Sequence, residues 1–351
     1  MRPVVFDTET PSKLRLIDNL CYDGLIDLDT AKQEMMDAMF WHSRIGQILA
    51  PRGIDFIQSE LTPDTLGLRN LHFITNRDRE GQSYPHIAAE AIEGIHALPE
   101  LVVNRELLSS AGALVLKSVR EDRGINKFLL ETDVQKQTAA AYFDNHPFDG
   151  RIWRLQPFIE PVVSEVATNI RVVATAAGEL LGAAVVYNML AETSPITSSS
   201  GDSSDTDAWA LLADPTSEYY LGSREFRSYS ESNCGEILLK VNGILPSDYS
   251  PTPLEQDILA GLSITDQSLP EHLQETTVEA ARTIGPSLAL LMGFDFQPSR
   301  ANYYCLEINS WPAPGVTRRW LGLSSAMKHS DVVDRMLEIA ADGIVREAST
   351  T

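Results

Sequence analysis

The sequence predicts a protein of mixed α/β and α+β class, and three stretches carry that prediction. Residues Asn169–Thr175 turn at Ala177-Gly178-Glu179 into Leu180–Tyr187, two β-branched runs about a small-residue turn, the pattern of a hairpin. Residues Ala113–Val119 (ALVLKSV) read as a strong strand, followed by a polar, glycine-containing turn and a further strand at Lys127–Glu131. Helical segments stand near both ends, at Asp29–Gln47, with apolar residues at helical spacing, and at Asp331–Arg346. With 351 residues the chain has room for two or three packed units.

Taken in order, short strand-like pieces at Arg2–Phe6 and Gly53–Gln58 enclose the first long helix and make residues 1–75 a small α/β unit. No glycine-rich dinucleotide turn follows a strand there. A helix at Pro85–His96 and a strand at Glu100–Val103 precede the pair at 113–131, and Arg154–Ile159 adds a strand, giving a central unit over 76–160. The hairpin opens a C-terminal unit over 161–351. Residues Glu192–Asp207 (ETSPITSSSGDSSDTD) are rich in Ser, Thr and Asp without periodicity, which predicts a mobile insertion, placed at 190–222. An amphipathic helix at Leu273–Leu291 is followed by strands at Phe294–Gln297 and Tyr303–Ile308.

Composition removes several function classes. Hydrophobic residues make up 43% and charged residues 22%, the balance of a globular protein with a sizeable core. A formal charge of −21 argues against nucleic-acid binding, which depends on neutralising phosphates with Lys and Arg. No apolar run approaches the roughly 20 residues of a membrane helix, and MRPVVFDTET lacks the marks of a secretory signal. The expected location is therefore cytoplasmic, without membrane contact. Cys21, Cys234 and Cys305 are odd in number and far apart, so a disulfide framework is not expected. The seven histidines are scattered, with no metal-binding pair.

The chemistry concentrates near the C-terminus. Asp295 lies in MGFDFQ, and Glu307 and Asn309 lie in YYCLEINSWPAPG. Residues two apart on a strand share a face, so Glu307 and Asn309 point the same way, and a short turn sets Asp295 alongside. Three oxygen-bearing side chains suit a hard cation such as magnesium, held partly by phosphates. A hydrophobic strand has no structural need for an alternating carboxylate and amide, and burying them unpartnered costs several kcal/mol each. The plainer alternative is a strand end whose polar residues meet solvent.

This segment resembles the metal-binding signature of the ATP-grasp superfamily, in which an acid precedes an E-x-N by about a dozen positions and a Pro-Gly loop, here Pro314-Gly315, follows. ALVLKSVREDRGINKFLL resembles the phosphate-gripping unit of that family. The likeness implies that Lys117 touches the nucleotide phosphates and that Gly124 lets Arg120–Asn126 close over them, although Glu121 and Asp122 depart from the usual small residues. RLQPFIEPVVSEVATNIRVV is similar to the hinge and hairpin. It implies adenine contacts from Gln156, Phe158 and Ile159, ribose contacts from Glu160 or Glu165, and Arg171 at the transferring phosphate. Pro157 removes a hinge donor, and Asn169 stands where the family often has Asp. Arg77 or Arg79 is a candidate for a second phosphate cation, and Arg227, Ser232 and Asn233 match more loosely. The resemblance spans roughly residues 70–320.

What the resemblance implies is an ATP-grasp fold, the N-terminal α/β unit followed by two α+β subdomains that clasp ATP. Magnesium, or manganese in its place, bridges the phosphates. A carboxylate attacks the γ-phosphate to give an acyl phosphate, an amine captures it, and ADP and phosphate leave. Lys117 and Arg171 would be the catalytic cations and Asp295, Glu307 and Asn309 the metal ligands. Arg318 and Arg319, directly after the Pro-Gly loop, would clamp a carboxylate of an amino acid or small peptide. Trp311 and Trp320 flank the same loop. A homodimer is common in the family. Two alternatives stay open: a kinase that stops at phosphoryl transfer, and a non-catalytic nucleotide-binding module.

Overall fold

The computed structural model describes residues 2–7, 9–22, 27–59, 61, 65–66, 71–74, 84–98, 101–103, 105–109, 111–118, 127–146, 153–163, 166–189, 211–212, 216–221, 234–246, 249–310, 315–323 and 327–350. Gly124 and the rest of Arg120–Asn126, Glu165, Glu192–Asp207, Arg77, Arg79, Arg227, Ser232, Asn233, Trp311 and Pro314 lie outside the described residues, as does the side chain of Lys117.

The α/β and α+β expectation matches the sheets that form. In the N-terminal unit β1 (Val4–Asp7) runs parallel to β2 (Asp55–Gln58) and β3 (Leu71–Phe73), in the order β2-β1-β3. Two helices, α1 (Glu9–Tyr22) and α2 (Leu28–Leu49), carry the chain from β1 to β2. Asp27 caps α2 by accepting the Thr30 N–H at 2.7 Å. Every residue of β1 is buried, as a central parallel strand covered on both faces requires.

A helix α3 (Tyr84–Ala91) and a short strand β4 (His96–Ala97) follow, then β5 (Leu101–Val102), a single-turn helix α4 (Arg105–Leu108), β6 (Leu114–Ser118), β7 (Lys127–Leu130), α5 (Asp133–Asn145) and β8 (Trp153–Pro157). Strands β5, β8, β6 and β7 form an antiparallel sheet in that order. The hydrophobic pattern of α5 is weak and the sequence reading passed over it, yet its start is written in Thr132 and Gln135. The Thr132 hydroxyl accepts the Gln135 N–H, and the Gln135 side chain accepts the Thr132 N–H in return.

The largest sheet has six strands in the order β11-β10-β9-β12-β13-β4. Its members are β9 (Val166–Thr175), β10 (Leu180–Met189), β11 (Cys234–Leu238), β12 (Leu291–Pro298) and β13 (Tyr303–Ser310), antiparallel throughout, with β4 added parallel to β13. The helices of this region are α6 (Pro253–Gly261), α7 (Glu271–Leu288), α8 (Gly315–Trp320) and α9 (His329–Thr350). Ile170, Val172, Ala183 and Phe294 face Ala280, Ala281 and Ile284 of α7. On the opposite face Val173, Leu181 and Leu291 pack with Met336, Leu337 and Ile344 of α9, and with Val5, Leu49 and Ile74 of the N-terminal unit. Arg44 of α2 reinforces that contact by donating to Asp334 and Asp331 of α9.

Within the span 76–160, β4 joins the six-stranded sheet and Ala88, Ile92 and Ile95 enter its core, while the four-stranded sheet begins at β5. Two described residues of the span 190–222 are core. Leu212 and Leu221 are 0% and 1% exposed and pack with Leu116, Phe128, Tyr142 and Trp153 of the four-stranded sheet and α5. Gln135 Nε2 donates to Leu221 O at 2.7 Å, and Tyr219 sits edge-on to Tyr142. The connection from β10 to β11, both strands of one sheet, thus completes the core of the other. Leu211, Leu212, Tyr219 and Leu221 supply the apolar surface, and the Ser/Thr/Asp bias of their neighbours hid them.

Candidate active site

The second face of the six-stranded sheet carries the polar constellation. Arg171 on β9 is in register with Asp295 on β12, which is in register with Glu307 on β13, so the three form one row across three strands. A register shift follows directly after Asp295, and such bulges re-aim side chains next to active sites. The Arg171 fork closes on Asp295, with Nε donating to Oδ1 at 2.7 Å and Nη2 to Oδ2 at 2.9 Å. Asn309, on the same face two residues beyond Glu307, donates from Nδ2 to Asp295 Oδ2 at 3.3 Å. Asp295 is only 3% exposed. A carboxylate at that depth is tolerable because a planar guanidinium matches both of its oxygens.

The row fits a hard cation. Asp295 and Glu307 are like charges directly opposite each other, an arrangement that is unfavourable unless positive charge lies close by. Arg171 supplies part of that charge. Two carboxylates and an amide oxygen are the donor set that magnesium accepts alongside phosphate oxygens and water. Among the described residues no group of three or more His, Cys, Asp or Glu side chains is placed to hold a metal, so a site here needs Asn309 and the ligand's own oxygens. Cys305, beneath the row, is not a nucleophile: burial, then the Asp295 and Glu307 charges, push its thiol well above the usual range.

Helix α8 brings the tandem arginines onto this face. Ala184 on β10 is the cross-strand partner of Arg171, Leu238 on β11 is the partner of Ala184, and Val316 of α8 packs on both. Trp320 locks the helix down by donating Nε1 to Leu239 O at 3.1 Å and lying where a side chain at Gly182 would stand. Arg318 is half-buried, and its Nε has no hydrogen-bond partner; Arg319 is exposed. A buried unpaired guanidinium N–H costs energy that an anionic ligand repays.

The hinge region is more committed than the expectation allowed. Gln156 is buried within β8, opposite Val115. The Phe158 N–H already serves the four-stranded sheet, donating to Ala113 O at 3.0 Å. The Ile159 carbonyl accepts Gln297 Nε2 at 3.2 Å, which ties the hinge to β12. Glu160 is exposed. Lys117 lies in β6, opposite Lys127 and Arg154.

Comparison with solved structures gives three likenesses worth recording. The chain is similar to a D-alanine–D-alanine ligase from Bacillus anthracis complexed with ATP, at 10% identity, 99% of each chain and a TM-score of 0.43. It is similar to the ATP-grasp ligase PsnB complexed with minimal precursor, at 12% identity, 92% of this chain, 76% of that one and a TM-score of 0.41. It is also similar to the D-cycloserine synthetase DcsG, at 11% identity, 95% and 99% of the two chains and a TM-score of 0.43. No family model matches the chain, and no curated protein matches it in sequence. The chemistry of the site therefore rests on its own side chains.

Asn169, which the sequence marks only as a departure from the resembled family's Asp, shares a face with Arg171 and has a buried Oδ1 without a partner. Two further residues of interest, Asp7 and Tyr249, escaped the sequence reading. Asp7 is 1% exposed at the C-terminal end of the central parallel strand, where it accepts Gln58 Nε2 at 2.6 Å. Open parallel sheets bind ligands at that edge, and an acid closing the run VVFD was the clue. Tyr249 packs against Val316 with its hydroxyl buried near the Leu238 backbone, and its pKa is pushed up to about 12, by burial first and the Glu255 charge second. Nothing in its polar neighbourhood distinguished it. Among the described residues no helix is long and apolar enough to cross a membrane.

Proposed function

We propose that this chain is an ATP-grasp ligase that activates a carboxylate with ATP and joins it to an amine, releasing ADP and phosphate. The observation that carries the reading is the row Arg171–Asp295–Glu307 with Asn309 beside it: a cation, two carboxylates and an amide on one sheet face. Asp295, Glu307 and Asn309 would hold magnesium, which when bound neutralises phosphate charge and fixes the phosphates for in-line attack. Asp295 aims the Arg171 guanidinium by gripping it at two points. Arg171 then stabilises negative charge that develops at the transferring phosphoryl group.

The substrate carboxylate attacks the γ-phosphorus, the bond to the β-phosphate oxygen breaks, and ADP departs. The amine then attacks the acyl carbon and phosphate leaves. Neither step needs a protein nucleophile. Arg318, on the helix that packs on Ala184 and Leu238 beside Arg171's strand, would orient a substrate carboxylate, in keeping with an amino acid or small peptide. Arg318→Ala should therefore raise the KM for that substrate about tenfold or more while ATP affinity stays unchanged. Unaltered substrate kinetics would remove Arg318 from the site.

The deciding experiment measures ADP and phosphate release with magnesium and ATP against pooled amino acids and dipeptides, with product masses read in parallel. Substrate-dependent ADP formation that disappears in Glu307→Ala supports the ligase reading. AMP and pyrophosphate would sink it. A phosphorylated product that accumulates in the presence of amines would instead make the chain a kinase.

A further inference from the structure

Asn169 and Arg171 stand on the same face of β9, roughly 7 Å apart along the strand, but their situations are opposite. Arg171 is committed to Asp295. Asn169 Oδ1 is shut away from water with no hydrogen-bond partner. Its cross-strand neighbour on β10 is Val186, which cannot serve it, and Glu236, opposite Val186 on β11, carries no donor. A buried amide oxygen in this condition calls for a donor from outside the chain, and a bound ligand can supply one.

Position selects which donor. Strand β9 begins at Val166, which bridges to Val163 of the hinge segment, so Asn169 lies on the hinge side of Arg171. On the proposed reading the hinge side receives the nucleoside, and the Arg171 side receives the phosphates and the reacting carboxylate. Phosphates and carboxylates offer no hydrogen at neutral pH. The amine must reach the acyl phosphate beside Arg171. The adenine 6-amino group also donates, but on the same reading it faces the hinge backbone; the sugar hydroxyls remain, each able to donate to Oδ1 or to accept from Nδ2, so the match holds whichever way the amide is turned.

We infer that Asn169 reads the ribose of the nucleotide, accepting a hydrogen bond from one of its hydroxyls. This inference rests on the nucleotide-binding reading above and moves ribose recognition from Glu160 or Glu165 to a half-buried strand position whose amide oxygen is shut from water. A neutral amide also suits this location better than a carboxylate, which would compete with Asp295 for the Arg171 fork.

The test is calorimetric binding of ATP, 2′-deoxy-ATP and 3′-deoxy-ATP, each with magnesium, to the wild-type chain and to Asn169→Ala. The wild type should bind ATP about tenfold more tightly than one of the two analogues. Asn169→Ala should bind ATP and that analogue equally, with the analogue's own affinity unchanged. Asn169→Ser, too short to reach the same hydroxyl, gives the same comparison should the alanine variant fail to fold. Retention of the wild-type ratio in these variants, or equal binding of all three nucleotides by the wild type, overturns the inference. If the wild type binds no adenine nucleotide, the ligase reading itself falls, a result distinct from both.

Discussion

Asp295→Ala should abolish ADP formation and lower the stability of the chain by about 3 kcal/mol. The two effects share a cause. Arg171 is held at both ends of its fork by this carboxylate, and its side chain is only 24% exposed. Removing the carboxylate takes from a half-buried guanidinium the partner that grips both ends of its fork, which is costly. It would also strip one ligand from the proposed cation site and leave Arg171 unaimed. The expected loss in kcat is at least a hundredfold, the scale seen when one preorganised charge is removed from a transition state. Asp295→Asn keeps the volume and separates the two roles: it should retain more stability than the alanine variant and still lack turnover. Urea denaturation read beside the ADP assay makes the comparison. Near-wild-type turnover in both variants would remove the row from the chemistry.

Leu212→Ala should cost about 3 kcal/mol, by deleting a fully buried side chain and leaving a cavity behind. The loss is expected to be local. Leu212 packs with Leu116, Phe128, Tyr142 and Trp153, so amide protection should fall in β6, β7 and β8 while β9 and β12 remain protected. Hydrogen exchange read strand by strand decides this. A uniform loss across both sheets would show that the segment is not a private part of the four-stranded core. Should the sheet bearing Lys117 grip the phosphates as the sequence resemblance implies, the same variant should bind ATP more weakly while Glu307, Asn309 and Arg318 are untouched.

Much of this was legible in the chain. The β9–β10 hairpin, the β6–β7 pair and the long helices at both ends are set by local patterns of period two or 3.6, and those survive in any context. The spacing of Asp295, Glu307 and Asn309 was equally readable, because strand alternation and a short turn bring them together without distant help. Arg171 joining them was not readable from periodicity. Its pairing with Asp295 depends on β12 lying beside β9, a choice made by the packing of α7 across that sheet. The same holds for β4, two residues whose sheet is decided by β13 and not by their own sequence. Composition misled at Leu212 and Leu221, apolar residues that pack into the core from a tract whose composition is polar.

That last segment bears on how the chain is made. The four-stranded sheet and α5 are complete in sequence once β8 has emerged, but two of their core side chains, Leu212 and Leu221, are still to be synthesised. At about 5–20 residues per second, the wait for them is on the order of several seconds. Through that interval Phe128, Trp153 and Tyr142 surround a gap that only later chain can fill. A fragment ending soon after β8 should behave as an aggregation-prone intermediate, and an independently folding module should require a stop beyond Leu221.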